Sequence, residues 1–61
     1  MMEVARAVKV IEHFIDRIQA DTGLGSRDVE CIMYLLETGG VEVDDLPAMY
    51  GFNIYTYAPN G

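Results

Sequence analysis

Apolar side chains recur at spacings of three and four residues through the first third of the chain. They are Val4, Val8, Ile11, Ile15 and Ile18. Residues at these spacings lie on one face of an α-helix, and Ala7, Val10 and Phe14 widen that face. The pattern predicts one long amphipathic helix over residues 3–20. Thr22-Gly23 is expected to end it, because glycine readily takes the left-handed conformation found just past helix C-termini.

A second helix is predicted to follow, with Ser26 as its N-cap and Asp28 in its first turn, where a carboxylate meets the positive end of the helix dipole. Its apolar residues are not confined to one face, since the run from residue 31 to residue 36 is apolar on almost every side. Such a helix needs cover on two sides. Gly39-Gly40 is expected to end it.

The second half of the chain predicts shorter elements. Residues 41–43 alternate like a very short strand, and Asp44 or Asp45 is expected to cap a third helical segment that ends at Tyr50 before Gly51. Pro47 disfavours helical conformation in the residue before it. This helix should therefore carry Pro47 in its first turn and span only about four to six residues.

The C-terminal segment changes its period from that of a helix to that of a strand. From Phe52 to Tyr57, β-branched and aromatic side chains alternate, which predicts a β-strand within an extended tail of residues 52–61. The intrachain candidate for pairing, residues 41–43, is very short. The strand is therefore expected either to pair with a second subunit or another protein, or to pack within one subunit.

The length of the chain allows one small domain over residues 1–61. A chain of this size buries only about 60% of its unfolded surface, so its core needs a supplement. A single cysteine, Cys31, excludes an intrachain disulfide, and a single histidine makes a poor zinc site. Oligomerisation is the supplement to the core that remains. The apolar fraction of the chain, 51%, is consistent with an obligate interface. The predicted oligomer interface consists of Val4, Val8, Ile11, Ile15 and Ile18.

Together these patterns predict a mainly α-helical fold. The predicted protein is a small oligomeric domain with a long amphipathic helix, two shorter helices and a short C-terminal β-strand.

The charges of the chain are divided unevenly. Residues 1–27 carry four bases and four acids, whereas residues 28–61 carry six acids and no lysine or arginine, which leaves a net charge of −6. An acidic half lacks the cations that grip phosphate, so direct nucleic-acid binding is not favoured. A protein partner with a basic surface is favoured instead, and tyrosines add rigid contact area. The predicted partner-binding residues are Glu42, Asp44, Asp45, Tyr50, Tyr55 and Tyr57.

Three features carry a resemblance to a known family. They are the long first helix, the segment from Gly25 to the double glycine Gly39-Gly40, and the segment Asp45-Leu46-Pro47-Ala48-Met49-Tyr50-Gly51. In this order they resemble the N-terminal half of a winged helix-turn-helix domain of the MarR type. The resemblance implies a recognition helix after Gly51 that carries basic side chains to the major groove. Residues 52–59 contain a proline and no cation there, and no wing follows.

Three further groups of residues are candidates for chemistry. His13 lies near Glu12 and Asp16 on the polar side of the first helix, where a solvated histidine is the simpler interpretation. Cys31 has no base near it in the sequence and is expected to be packed in the core. The acids at 42, 44 and 45 lack the ligand spacing of a calcium loop and are interpreted as caps and solvated charge. The sequence therefore predicts no enzymatic activity, no metal and no cofactor.

The preferred interpretation is a small, acidic, non-enzymatic protein-binding or regulatory module that acts as an oligomer. An accessory or inhibitor protein of the kind that phages encode fits this description, its carboxylates occupying a basic groove of a nucleic-acid-binding protein. The alternative is a helix-turn-helix regulator whose dimer or basic partner subunit supplies the missing cations. A run of about 18 to 20 apolar residues and a leader-like segment are both missing, so a cytoplasmic protein without membrane contact is expected.

Overall fold

The computed structural model describes residues 2–59, which fold into four α-helices and two short 3₁₀ turns. The elements are α1 (Val4–His13), α2 (Ile15–Thr22), α3 (Ser26–Thr38), a first 3₁₀ turn (Val43–Asp45), α4 (Leu46–Tyr50) and a second 3₁₀ turn (Ile54–Thr56). The predicted mainly helical fold is confirmed. The two predicted strands are wrong, since no strand forms between residues 2 and 59.

The predicted long first helix is interrupted at one residue, Phe14, which separates α1 from α2. Phe14 has φ −108° and ψ 23°, outside the helical range, although its backbone N–H still donates to the Val10 carbonyl at 3.0 Å. The centroid of its ring lies 4.8 Å from that of His13 and 5.7 Å from that of Tyr57. The break therefore coincides with a contact between Phe14 and Tyr57, which lies near the other end of the chain. The spacing of apolar residues in the first helix cannot predict such a contact.

The predicted helix ends are confirmed at Gly23, Gly39 and Gly51, whose φ angles of 77°, 81° and 81° are the left-handed values that favour glycine. The predicted caps need correction. Gly25 is the N-cap of α3, and the Ser26 hydroxyl instead accepts a hydrogen bond from Gln19 Nε2 at 3.1 Å.

The short helix α4 carries Pro47 in its first turn and has five residues, as predicted. Leu46, the residue before the proline, is nevertheless helical with φ −59° and ψ −42°. Asp45 occupies the N-cap position of α4 without capping it through its side chain. Its Oδ2 accepts instead from the Glu42 backbone N–H at 3.3 Å, which closes the preceding 3₁₀ turn.

One core joins all of these elements, with α1 packed against α3 at its centre. Among the described residues it contains no polar or charged side chain. Its members are Met2, Ala7, Ile11, Ile18, Val29, Ile32, Leu36, Val41, Val43, Leu46, Phe52 and Ile54. Four of these twelve, at positions 41, 43, 52 and 54, come from segments that the sequence assigned to strands, so those segments are needed to complete the core of a single chain.

The C-terminal segment is a turn, and the predicted strand and extended tail are corrected accordingly up to residue 59. Phe52 and Ile54 point into the core. Asn53 Oδ1 accepts from the Tyr55 N–H at 2.9 Å, and the Thr56 N–H donates to the Asn53 carbonyl at 3.0 Å. Alternate residues are buried here as they would be in a strand, but the backbone hydrogen bonds are local. Residues 60 and 61 of the predicted tail lie outside the described residues.

The five residues of the predicted oligomer interface divide into two groups. Ile11 and Ile18 are completely buried within the single chain, so they offer no surface to a second copy. Val4 keeps 38% of its surface exposed, and Val8 and Ile15 are half-buried. An interface on this helix can therefore use only Val4, Val8 and Ile15, and oligomerisation itself stays a prediction.

Candidate protein-binding surface

Two of the predicted partner-binding tyrosines are engaged inside the chain. The Tyr55 hydroxyl accepts a hydrogen bond from the Met2 backbone N–H at 3.0 Å. The Tyr57 hydroxyl donates to Asp21 Oδ2 at 2.5 Å, and its ring packs beside Phe14. Both side chains are half-buried. They tie the C-terminal segment to the start of the chain and to α2, which places them at internal contacts.

The environment of Tyr57 also affects its ionisation. Removal of its hydroxyl from water, the hydrogen bond to Asp21 and the negative charge of Asp21 raise the pKa of Tyr57 above the ordinary value of 10.0, while Arg17 opposes the change. A group whose pKa is raised by folding stabilises the folded state below its unfolded pKa. That contribution is lost as the pH rises through the folded-state pKa, because an ionised phenol has no proton to donate.

We expect Tyr57→Phe to lower the free energy of unfolding by at most about 1 kcal/mol near neutral pH, since the hydrogen bond that it removes is exposed and screened by solvent. The difference between the variant and the wild type should shrink above about pH 10 as Tyr57 ionises. Urea unfolding of both proteins at about pH 8 and about pH 11 measures this, and the other tyrosines cancel in the comparison. A difference of equal size at both pH values would contradict the assigned hydrogen bond.

The remaining predicted partner residues occupy different places. Tyr50 is half-buried and packs against the core. Asp45 is exposed but holds the first 3₁₀ turn closed. Glu42 and Asp44 are exposed on that turn and line a hollow in the surface. The structure therefore brings Glu42 and Asp44 together at a concave surface that Tyr55 and Tyr57 do not line.

Two adjoining hollows lie along the contact of α1 with the end of α3, and Val4 belongs to both. The first has a volume of about 230 Å³ and the second, which is shallower, about 510 Å³. We call them together the α1–α3 groove. Its lining residues are Val4, Ala5, Val8, Lys9, Glu12, Leu36, Glu37, Gly39, Val41, Glu42, Val43 and Asp44.

The groove has an apolar floor and a charged rim. Valine, alanine and leucine side chains from α1, α3 and the loop between residues 39 and 44 form the floor. The exposed carboxylates of Glu12, Glu37, Glu42 and Asp44 stand around it, against the single ammonium of Lys9. The rim therefore has an excess of three negative charges, and it focuses a negative potential over an apolar surface.

The other candidates for chemistry are on the surface. His13 is exposed, as predicted, and its ring meets the edge of Phe14. Cys31 is also exposed, so the predicted packing of this cysteine in the core is wrong. The core face of α3 is formed by Val29, Ile32 and Leu36, and Cys31 lies on the opposite side of the helix. In the described part of the chain, no three His, Cys, Asp or Glu side chains are placed to hold a metal ion.

The segment where the helix-turn-helix resemblance implies a recognition helix has a different role. After α4, residues 52–59 contain a 3₁₀ turn and no α-helix. Phe52 and Ile54 face the core. A recognition helix needs an exposed, polar face that enters the major groove, and in the described residues this segment offers none.

Sequence reasoning named only two of the groove residues as a binding surface, Glu42 and Asp44. It also placed Val4 and Val8 in an oligomer interface without connecting them to these acids. The position of Val8 at the edge of the apolar face and of Val4 at the first residue of α1 was a usable signal, because the edges and ends of an amphipathic stripe are where side chains are left partly exposed. Glu37 could not be found this way, since its approach to α1 depends on how α3 packs.

No protein family, no curated protein and no solved structure matches this chain. Between residues 2 and 59, none of the helices is both long enough and apolar enough to cross a membrane.

Proposed function

We propose that this chain is a small, non-enzymatic protein-binding or regulatory module that presents an acidic surface to a partner protein with a basic surface. The observation that carries the proposal is the α1–α3 groove, in which an apolar floor, partly exposed at Val4 and Val8, is bordered by four carboxylates and one ammonium. Burial of an apolar floor supplies affinity, and an unbalanced charged rim supplies steering and selectivity for a partner of opposite charge.

The distribution of charge over the whole chain supports the same function. Lysine and arginine are confined to residues up to Arg27, so the acids that follow are not neutralised by bases from their own half. A basic partner gains from approaching this half, whereas phosphate is repelled by it. A regulator that occupies the basic groove of a nucleic-acid-binding protein is one form of this function.

Enzymatic chemistry has weaker support. Catalytic acids, bases and nucleophiles are commonly tuned by burial and by close charged neighbours. No charged or polar side chain is buried between residues 2 and 59. Within the same residues, the two side-chain hydrogen bonds between distant parts of the chain, Met2 to Tyr55 and Tyr57 to Asp21, tie the C-terminal segment to the start of the chain and to α2.

We expect the isolated chain not to bind duplex DNA with micromolar or tighter affinity in about 50 mM salt, where contacts to phosphate are strongest. Fluorescence anisotropy with a labelled duplex measures this. In the same salt, immobilised chain should retain a defined protein from an extract of its source cells, and that capture should weaken at about 0.5 M salt because charge contributes to it. Tight, steeply salt-dependent duplex binding, with no protein retained, would favour the helix-turn-helix regulator and contradict the proposed function.

A further inference from the structure

We infer that the α1–α3 groove binds a lysine- or arginine-rich amphipathic segment of a partner protein, with an apolar side chain of that segment placed over Val4 and its cations on the rim. This inference rests on the proposed function and adds to it the surface and the chemistry of the ligand. Two independent features carry it, the exposure of the floor and the imbalance of the rim.

The part of the floor that α1 contributes is apolar surface that the chain leaves partly uncovered. Val4 is 38% exposed although it belongs to the apolar face of α1, and Val8 beside it is only half-buried. Leu36, Val41 and Val43 continue the surface from the other side, and all three are buried in the core. The floor is therefore rigid at the residues that belong to the core and open to solvent at Val4 and Val8. A side chain of a partner can be inserted at such a place.

The size and lining of the hollows argue for a side chain as occupant. Pockets for small organic ligands usually have volumes of roughly 300 to 1,000 Å³ and contain a few converging polar groups. The more enclosed hollow is smaller, at about 230 Å³, and its charged side chains, Glu42 and Asp44, are exposed at its border. The second hollow, at about 510 Å³, falls within this range of volumes, but it is shallow and open to solvent. A side chain anchored by contacts outside the hollow fits this shape better than a free small molecule.

The rim selects the charge of the occupant. Each copy of the chain brings four carboxylates and one ammonium to the groove, so two copies placed groove to groove would repel each other. A cationic segment gains from the same four carboxylates. Charge complementarity therefore favours a basic partner over a second copy of this chain.

The backbone positions that carry the carboxylates are also fixed before binding. Glu12 and Glu37 stand on helices, and Glu42 and Asp44 stand on a turn that the bond from the Glu42 N–H to Asp45 Oδ2 keeps closed. A backbone that is already ordered in the free protein loses little conformational freedom on binding, so the cost is confined to the rim side chains.

The test uses a synthetic helical peptide of about 18 leucines and lysines, with the leucines on one stripe, as the probe. A second peptide replaces every lysine with glutamate, and a third scrambles the order so that the stripe is lost. Binding is measured by calorimetry, and the site is mapped by NMR of the valine methyl groups. We expect the first peptide alone to bind and to shift the methyl signals of Val4 and Val8.

Two double variants with the same net charge locate the electrostatic contribution. Glu37→Gln with Asp44→Asn removes two rim carboxylates, one from each hollow. Asp16→Asn with Glu30→Gln removes two exposed carboxylates that line neither hollow. We expect the first pair to weaken binding of the leucine–lysine peptide by about tenfold and the second pair to weaken it by less than about twofold. Carboxylates that contact the lysines of the peptide contribute more than distant carboxylates, whose attraction is screened by salt. Circular dichroism verifies that both variants stay folded.

The possible failures are distinguishable. Equal weakening by both double variants, or methyl shifts away from Val4 and Val8, would overturn the groove while leaving the proposed function in place. Self-association of the wild type that perturbs the Val4 and Val8 methyls would show a second copy as the occupant and would also overturn it. If basic proteins and the leucine–lysine peptide all failed to bind, the groove and the proposed function would fail together.

Discussion

Replacing Ile11 with Asp is expected to unfold the chain. Ile11 has no exposed surface and lies in the core between α1 and α3. An unpaired carboxylate at this position costs several kcal/mol. A domain of 61 residues has a total stability of roughly 3 to 9 kcal/mol. The cost is comparable to the whole stability, so far-ultraviolet circular dichroism should show loss of helix and the NMR amide signals should collapse to unfolded positions.

Val8→Asp is the matched control, since it adds the same charge one helical turn earlier at a half-buried position. We expect this variant to stay folded, because the new carboxylate can reach water at the edge of the groove. Sedimentation equilibrium on the wild type and on Val8→Asp distinguishes the oligomer predicted from the sequence, whose interface could include Val8 but not Ile11, from the basic partner that we infer for the groove. A folded Ile11→Asp monomer would contradict the intrachain burial of Ile11 and restore it to the predicted oligomer interface.

Replacing Ile54 with Ala is expected to lower the free energy of unfolding by about 2 to 5 kcal/mol, because a large core side chain is removed and a cavity is left. Ile54 is 1% exposed, and its segment also supplies Phe52 to the core. Since the total stability of so small a domain is of the same size, the variant should be partly unfolded at 25 °C. Urea unfolding followed by circular dichroism measures the change.

Met49→Ala serves as the comparison for this variant. Met49 is 58% exposed, so its truncation should change the stability by less than about 0.5 kcal/mol. If Ile54→Ala were as stable as the wild type, residues 52–59 would not be part of the core. The sequence-based alternative, a strand that pairs with another chain, would then be the better description of this segment.

The positions of the helices could be predicted from the sequence because their determinants are local. The spacing of apolar residues predicted α3 and the helical region of residues 3–20, though as one helix without the break at Phe14, and the glycines at 23, 39 and 51 end the helices where the chain has positive φ. Pro47 limited α4 to a short helix in the same way. The charge division between the two halves is also a property of sequence alone, and it supplied the expectation of a basic partner.

The candidate site could be predicted only in part. Glu42 and Asp44 were named as partner-binding residues, and they do line the groove. Tyr55 and Tyr57 were named with them because exposed aromatic residues suit interfaces, but a sequence does not reveal that their hydroxyls have partners at Met2 and Asp21. Those partners lie 53 and 36 residues away along the chain.

The tertiary structure alone decided which surfaces remain open, because burial depends on residues that are distant in sequence. The alternation from Phe52 to Tyr57 is consistent with a strand. In the structure, however, Phe52 and Ile54 pack into the core, and local hydrogen bonds pair the backbone groups in a 3₁₀ turn. Cys31 lies in an apolar run, but only the packing of α3 decided that it faces outward. Likewise Val4 and Ile11 lie on nearly the same side of α1, two turns apart, and the packing buries Ile11 completely while Val4, at the start of the helix, stays 38% exposed.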